Sequence, residues 1–139
     1  MASMNKFNCF GEDLGLGVHD LSASGDTIKI YLTNIAPSAS GDAVLADLVG
    51  ITEENGYAEA DLQNDWSESG GTSTLTAVDV TWTASGGSFG PFRYSVAYNS
   101  TTTVKTNPLI GWWDYGSSIT VSDGEAFLAD IGASLWTLT

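Results

Sequence analysis

The chain is short of almost everything that catalysis and membrane insertion require. Its 139 residues include one cysteine, Cys9, and one histidine, His19, so an internal disulfide is excluded and a zinc or other transition-metal site lacks ligands. An unpaired cysteine fits a reducing compartment, and Cys9 reads as a small hydrophobe rather than a reactive thiol. Only four residues are basic against 17 acidic, a formal net charge of −13. A surface of that sign repels phosphate backbones and anionic membranes. No apolar run approaches the roughly 20 residues that span a bilayer. Asn5, Asn8, Glu12 and Asp13 interrupt the continuous apolar core of a signal peptide. The expectation is a protein made and assembled in a cytoplasm, with neither nucleic acid nor membrane as its partner.

What is plentiful is small and β-prone. Serine, threonine and glycine make up 47 residues, which weakens helices and suits strands joined by tight turns. The 42% hydrophobic content is enough to close one core in a single domain of this length. Charge is uneven: residues 1–70 hold 12 acids and two bases, residues 71–139 five acids and two bases. Trp82, Trp112, Trp113 and Trp136, four of the five tryptophans, lie in the second half. That half is expected to form the main core and any apolar contact surface, and the first half the solvated exterior.

Along the chain, Phe7, Phe10, Leu14, Val18 and Leu21 recur at helical spacing. Gly11, Gly15 and Gly17 interrupt the stripe, each costing about 1 kcal/mol relative to alanine in a helix interior. Residues 1–20 therefore read as a partly helical arm that docks on a partner or packs on its own domain. Residues 21–139 read as the β-domain. Ile28, Ile30 and Leu32 alternate with Lys29, Tyr31 and Thr33, a strand signal. Val44 to Ile51 suits a short helix or an irregular half-buried strand, and Ser67 to Gly71 a loop. Thr72 to Thr83 reads as a strand pair or a bent strand, and its apolar phase changes, Leu75 and Ala77 being odd and Val78, Val80 and Trp82 even, which a bulge or bend near Ala77-Val78 would reconcile. Phe92, Tyr94, Val96 and Tyr98 alternate again, and Leu109 to Tyr115 forms the next strand. Gly116-Ser117-Ser118 reads as a turn and Asp123-Gly124 as a hairpin turn before Glu125 to Ile131. Ser134 to Thr139 closes the chain as a last strand. The pattern predicts a mostly β protein, a single antiparallel β-sandwich of jelly-roll or related type with an N-terminal arm and about eight strands.

Motifs for chemistry fail on context. Gly86-Gly87-Ser88-Phe89-Gly90 matches G-x-S-x-G, but a nucleophile elbow needs a strand running into a helix, and Pro91 with Phe92 opens a strand instead. The eight carboxylates from Asp42 to Glu68 show no calcium-loop spacing and read as a solvated acidic face. Asn99-Ser100-Thr101 is a sequon that reads as a turn in an unsecreted chain. The one constellation retained is Trp112-Trp113-Asp114-Tyr115. Adjacent strand residues point to opposite faces, so one tryptophan needs a second layer, another subunit or a sugar ring. The candidate contact residues are Phe7, Phe10, Leu14, Trp113 and Tyr115. No catalytic residue, cofactor or metal is called for.

The runs SGGSFGPFRYSVAYN and PLIGWWDYGSSITVSDGEAF, the opening MNKFNCFGEDLGLGVHDL and the segment IKIYLTNIAPSAS resemble small β-rich virion structural proteins of tailed bacteriophages, over about Met4 to Leu138. The acidic segment Asp42 to Glu68 departs from that pattern. The resemblance implies a non-enzymatic capsid decoration, or cement, protein on the capsid exterior, with the major capsid protein as partner and a homo-oligomeric state. Two alternatives are a tail or receptor-binding accessory protein using its aromatic cluster on host glycans, and a virion-borne glycan hydrolase using a carboxylate pair.

Overall fold

The computed structural model describes residues 4–132 and 134–139, so Met1 to Ser3 of the expected arm and Ala133 lie outside the described residues. The elements run β1 (Asn5–Lys6), α1 (Asn8–Gly15), β2 (Ile28–Thr33), β3 (Ala60–Asp61), β4 (Asp65–Ser69), β5 (Thr72–Thr76), β6 (Val80–Thr83), β7 (Phe89–Asn99), β8 (Leu109–Val121), β9 (Ala126–Ala129) and β10 (Trp136–Leu138). Among the described residues ten strands, rather than about eight, form three antiparallel sheets of order β1-β8-β7-β2-β3, β10-β5-β4 and β6-β9. They pack as a β-sandwich.

The long β7–β8 ladder, Phe89 opposite Val121 through Tyr98 opposite Leu109, is the spine. Burial divides its faces. One face meets the two smaller sheets in the main core, where Ile28, Ile30, Leu32, Leu75, Trp82, Phe92 and Trp113 join. The other face carries a second core of Phe7, Tyr31, Leu48, Val96, Tyr98 and Leu109. A sheet buried on both sides explains why β2 is buried at five of its six positions although its sequence alternates.

Several local readings change because pairing partners are distant in sequence. Phe92 sits in the main core but Val96 and Tyr98 in the second; register shifts on either side of Phe92 rotate the strand between them. Gly116-Ser117-Ser118 is a wide bulge inside β8 rather than a turn, since Asp114 to Ile119 on β8 oppose only Tyr94 to Phe92 on β7. The phase change in Thr72 to Thr83 marks a change of sheet: β5 pairs with β4 and β10, whereas β6 pairs with β9. The Asp123-Gly124 turn therefore does not fold β9 back on β8. Ser67 to Gly71 is mostly strand; Gly70 and Gly71, at φ +60° and +88°, form a two-residue turn between paired Ser69 and Thr72, which requires left-handed backbone at both positions. Gly86 to Ser88 lead straight into β7, so no strand-to-helix elbow is present there.

Of the two readings left open for the first segment, packing on its own domain is the one seen. α1 forms despite its glycines because its stripe is covered by the same chain. Phe7 and Phe10 are fully buried, Phe10 packing edge-on against Trp136 at 5.2 Å. Asp13, also buried, takes both oxygens to Lys105 Nζ at 3.1 and 2.9 Å. Residues 4–20 belong to the domain.

Candidate functional site

The sequence-derived contact residues do not assemble into a surface. Phe7, Phe10 and Trp113 are interior, with Trp113 2% exposed; Leu14 is half-buried against the main core. Tyr115 lies edge-on to Phe127 at 5.0 Å, and its hydroxyl is 2.8 Å from Ser95 Oγ. Trp112 points to the opposite face, as adjacency on a strand demands, and is covered there by Phe7 with ring centroids 4.6 Å apart. Both sides of the tryptophan pair are thus met by this chain's own layers, which corrects the assignment of Phe7, Phe10 and Trp113 to a contact surface.

The acidic segment turns out to be structural glue. Asp42 accepts the Ser38 N–H, Asp47 those of Ala43 and Val44, Glu53 that of Glu59, Asp61 that of Gln63, Asp65 those of Ala23 and Trp66, and Glu68 that of Gly71. In a chain whose long connections lack ladder partners, short carboxylates satisfy backbone donors that would otherwise rely on water. Asp47 is held below the usual carboxylate range by its two N–H donors.

These caps shape a cleft that the sequence did not single out. β3 covers β2 only opposite Lys29 and Ile30, leaving the Leu32 edge open. The Tyr57 hydroxyl accepts the Leu32 N–H at 2.8 Å, and the Leu32 carbonyl accepts the Ile51 N–H at 2.9 Å, so two loops close the edge without a strand. Gly50 permits this approach: a Cβ there would stand 2.8 Å from the Tyr31 ring. Between these loops lies an open cavity of about 560 Å³, walled by Val44, Leu45, Val49 and Ile51 with Tyr31 and Tyr57 behind them and Glu53 and Glu59 at its side. A volume in this range suits ligand-sized groups.

Hydrogen bonds fix its polar groups. The Tyr31 hydroxyl donates to the Leu48 carbonyl at 2.6 Å, and that of Tyr98 to Glu59 Oε1 at 2.8 Å. Lys29 Nζ reaches the same oxygen at 3.3 Å. Burial, with Asp42 next, pushes the Tyr31 phenol far above its ordinary value; burial likewise raises Tyr57 to about 12. The phenols stay neutral and act as fixed hydrogen-bonding groups. The signal that could have found this site is the apolar run Val44 to Ile51 set between acids, whose periodicity fitted neither helix nor strand because it is a 3-10 turn, Leu45–Asp47, continued by irregular chain.

A second polar cluster lies at His19. Asn99 is fully buried; its Oδ1 accepts the Thr101 and Thr102 N–H groups, which turns its Nδ2 toward Asp26 Oδ2 and His19 Nδ1 at 2.9 and 3.0 Å. The sequon asparagine is therefore a buried organiser of the β7–β8 connection. A donor facing Nδ1 requires the neutral ring, and burial pushes the His19 pKa below 6.5 against the smaller opposing effects of Asp13 and Asp26. The unfolded state then binds the proton more tightly, so stability is complete above about pH 6.5 and falls as pH drops from there toward the folded value. We expect the urea midpoint of the native chain to fall between pH 7.5 and pH 5, and that of His19→Gln to change less. Equal losses in both would place the titration elsewhere.

Among the described residues no group of three or more histidine, cysteine, aspartate or glutamate side chains is arranged to hold a metal ion, and no helix is long and apolar enough to cross a membrane. Compared with family models, with curated proteins and with solved structures, the chain matches none.

Proposed function

We propose that this chain is a non-enzymatic structural protein of a bacteriophage virion, a capsid decoration protein of jelly-roll type made in the host cytoplasm and bound to the major capsid protein on the outside of the shell as a homo-oligomer. The observation that carries the reading is where the resemblance falls. Two of its runs, Ser85 to Asn99 and Pro108 to Phe127, supply β7 and β8, the spine on which both cores are built. The segment that departs from the resemblance, Asp42 to Glu68, supplies the cleft, the part expected to differ between proteins that share a scaffold but contact different surfaces.

Two further features support a binding role over a catalytic one. Six of the eight carboxylates of the acidic segment are engaged as caps on backbone N–H groups, and Glu59 is held by Lys29 and the Tyr98 hydroxyl. Beside the cleft, Ile35 and Val49 stand 55% and 62% exposed, side chains that gain from being covered. The glycan-binding alternative drew on Trp113 and Tyr115, which are engaged inside the domain.

Virions lacking the protein are expected to assemble yet release DNA at lower temperature than complete ones, and added purified protein should restore them. Repeated copies on a lattice let modest contacts add up. Normal shell stability combined with failure to adsorb to host cells would move the protein to the tail.

A further inference from the structure

We infer that the cleft between the Val44–Ile51 and Glu53–Glu59 loops is a peptide-docking site, and that it takes a loop of the partner protein presenting a bulky apolar side chain next to a lysine or arginine. This deepens the proposed function, on which it rests for the identity of the partner.

The apolar half of the claim follows from the walls. Val44, Leu45, Val49 and Ile51 surround about 560 Å³ of open space, room for one large side chain and part of its neighbour. Ile35, joined to this region through Thr33, whose Oγ1 accepts the Ile35 N–H and donates to the Val49 carbonyl, extends the apolar rim. The fixed tyrosines behind the walls keep the cavity preformed, which lowers the ordering cost of binding.

The basic half follows from charge. Glu53 and Glu59 line the cavity. Asp42 acts on Tyr31, and Asp47 sits on the Val44 N–H. The cations near them, Lys29 and Lys105, are already committed to Glu59 and Asp13. Glu53 uses Oε2 to accept the Glu59 N–H, and its Oε1 has no donor among the described residues. An apolar slot flanked by excess carboxylate favours an anchor that carries a positive charge, and repels one that carries a negative charge.

The same charges argue against other occupants. A second copy would bring a net charge of −13 to the site. Three of the chain's four cations, Lys29, Arg93 and Lys105, are spent on Glu59, Asp114 and Asp13. An anionic lipid surface is repelled in the same way.

The test uses the full chain, labelled with nitrogen-15, titrated with two blocked tetrapeptides, acetyl-Gly-Phe-Lys-Gly-amide and acetyl-Gly-Phe-Glu-Gly-amide. The lysine peptide should shift the amides of Val49, Ile51 and Asn107 saturably, bind on the order of fivefold more tightly than the glutamate peptide, and lose that preference in high salt. Glu53→Gln should reduce the preference, and Val49→Asn should weaken both peptides. Both positions are exposed, so melting temperatures should hold and loss of binding is not loss of fold. Equal binding of the two peptides, shifts centred elsewhere, or the absence of saturable shifts would overturn the inference. Concentration-dependent shifts at the same amides without peptide would assign the cleft to a second copy. Val49→Asn is also tested for rebinding to stripped virions: native rebinding would put the shell contact elsewhere and end the cleft's role in it. If the native chain itself ignores virions while the peptide preference holds, the proposed function fails and the docking chemistry stands.

Discussion

Replacing Phe10 with alanine is expected to cost about 3–5 kcal/mol, the range for removing a large buried aromatic, and removing residues 1–15 should abolish cooperative folding. A domain of this kind is stable by only about 5–15 kcal/mol in all, and α1 contributes more than one side chain. Phe7 fills the second core and covers Trp112. Phe10 fills the main core against Trp136. Asp13 neutralises Lys105 on the β7–β8 connection. Truncation would expose both cores at once and leave the edge of β8 that pairs with β1 without its partner strand. Urea unfolding followed by tryptophan fluorescence reads the result. A truncated chain that unfolds cooperatively near the native midpoint would show that the segment is an accessory arm after all.

The second large effect separates the two adjacent tryptophans. Trp113→Ala should cost about 3–5 kcal/mol, because the indole is 2% exposed in the main core. Trp112→Ala should cost about 1–2 kcal/mol, as for a half-buried ring that loses one aromatic pair. The difference comes from what each ring meets: Trp113 lies inside the main core, whereas Trp112 is half-buried at the margin of the smaller second core, against Phe7. Equal destabilisation would mean that the two faces are covered alike. Neither replacement is expected to change peptide binding in the cleft, since neither ring lines it.

The sequence made some of this legible. Ile28, Ile30 and Leu32 point where their alternation says, and Phe10 and Leu14 fall in α1 as their spacing says, whereas Phe7 is its extended N-cap and Val18 and Leu21 lie beyond its end. The errors share one cause. Leu75 and Trp82 are both core residues although their parities differ, because the chain leaves one sheet for another between them; a local window registers only the change of phase. Gly70-Gly71 is a recognisable turn pair, yet its flanking strands, with Ser67, Glu68 and Ser69 before and Thr72, Ser73 and Thr74 after, carry too little alternation to announce themselves. The eight acids looked like a solvated face because six of them have backbone donors as partners, which every residue but proline has and no side-chain pattern reveals.

By itself, then, the sequence determined the class of structure: serine, threonine and glycine disfavour helices, period-two apolar runs demand a half-buried sheet, and the shortage of histidine, cysteine and base limits the available chemistry. It also determined which side chains must leave water. Only the tertiary structure decided what covers them. Burial has no direction along the chain, so the Phe7–Phe10 stripe satisfies the same free-energy requirement on its own domain or on a partner, and β8's two tryptophan faces are filled equally well by a neighbour or by this chain's own layers. The cleft belongs wholly to that second category. It exists because β3 is too short to cover the Leu32 edge, because Gly50 lets a loop approach Tyr31, and because Asp47 and Glu53 cap the backbone donors of the two loops that wall it.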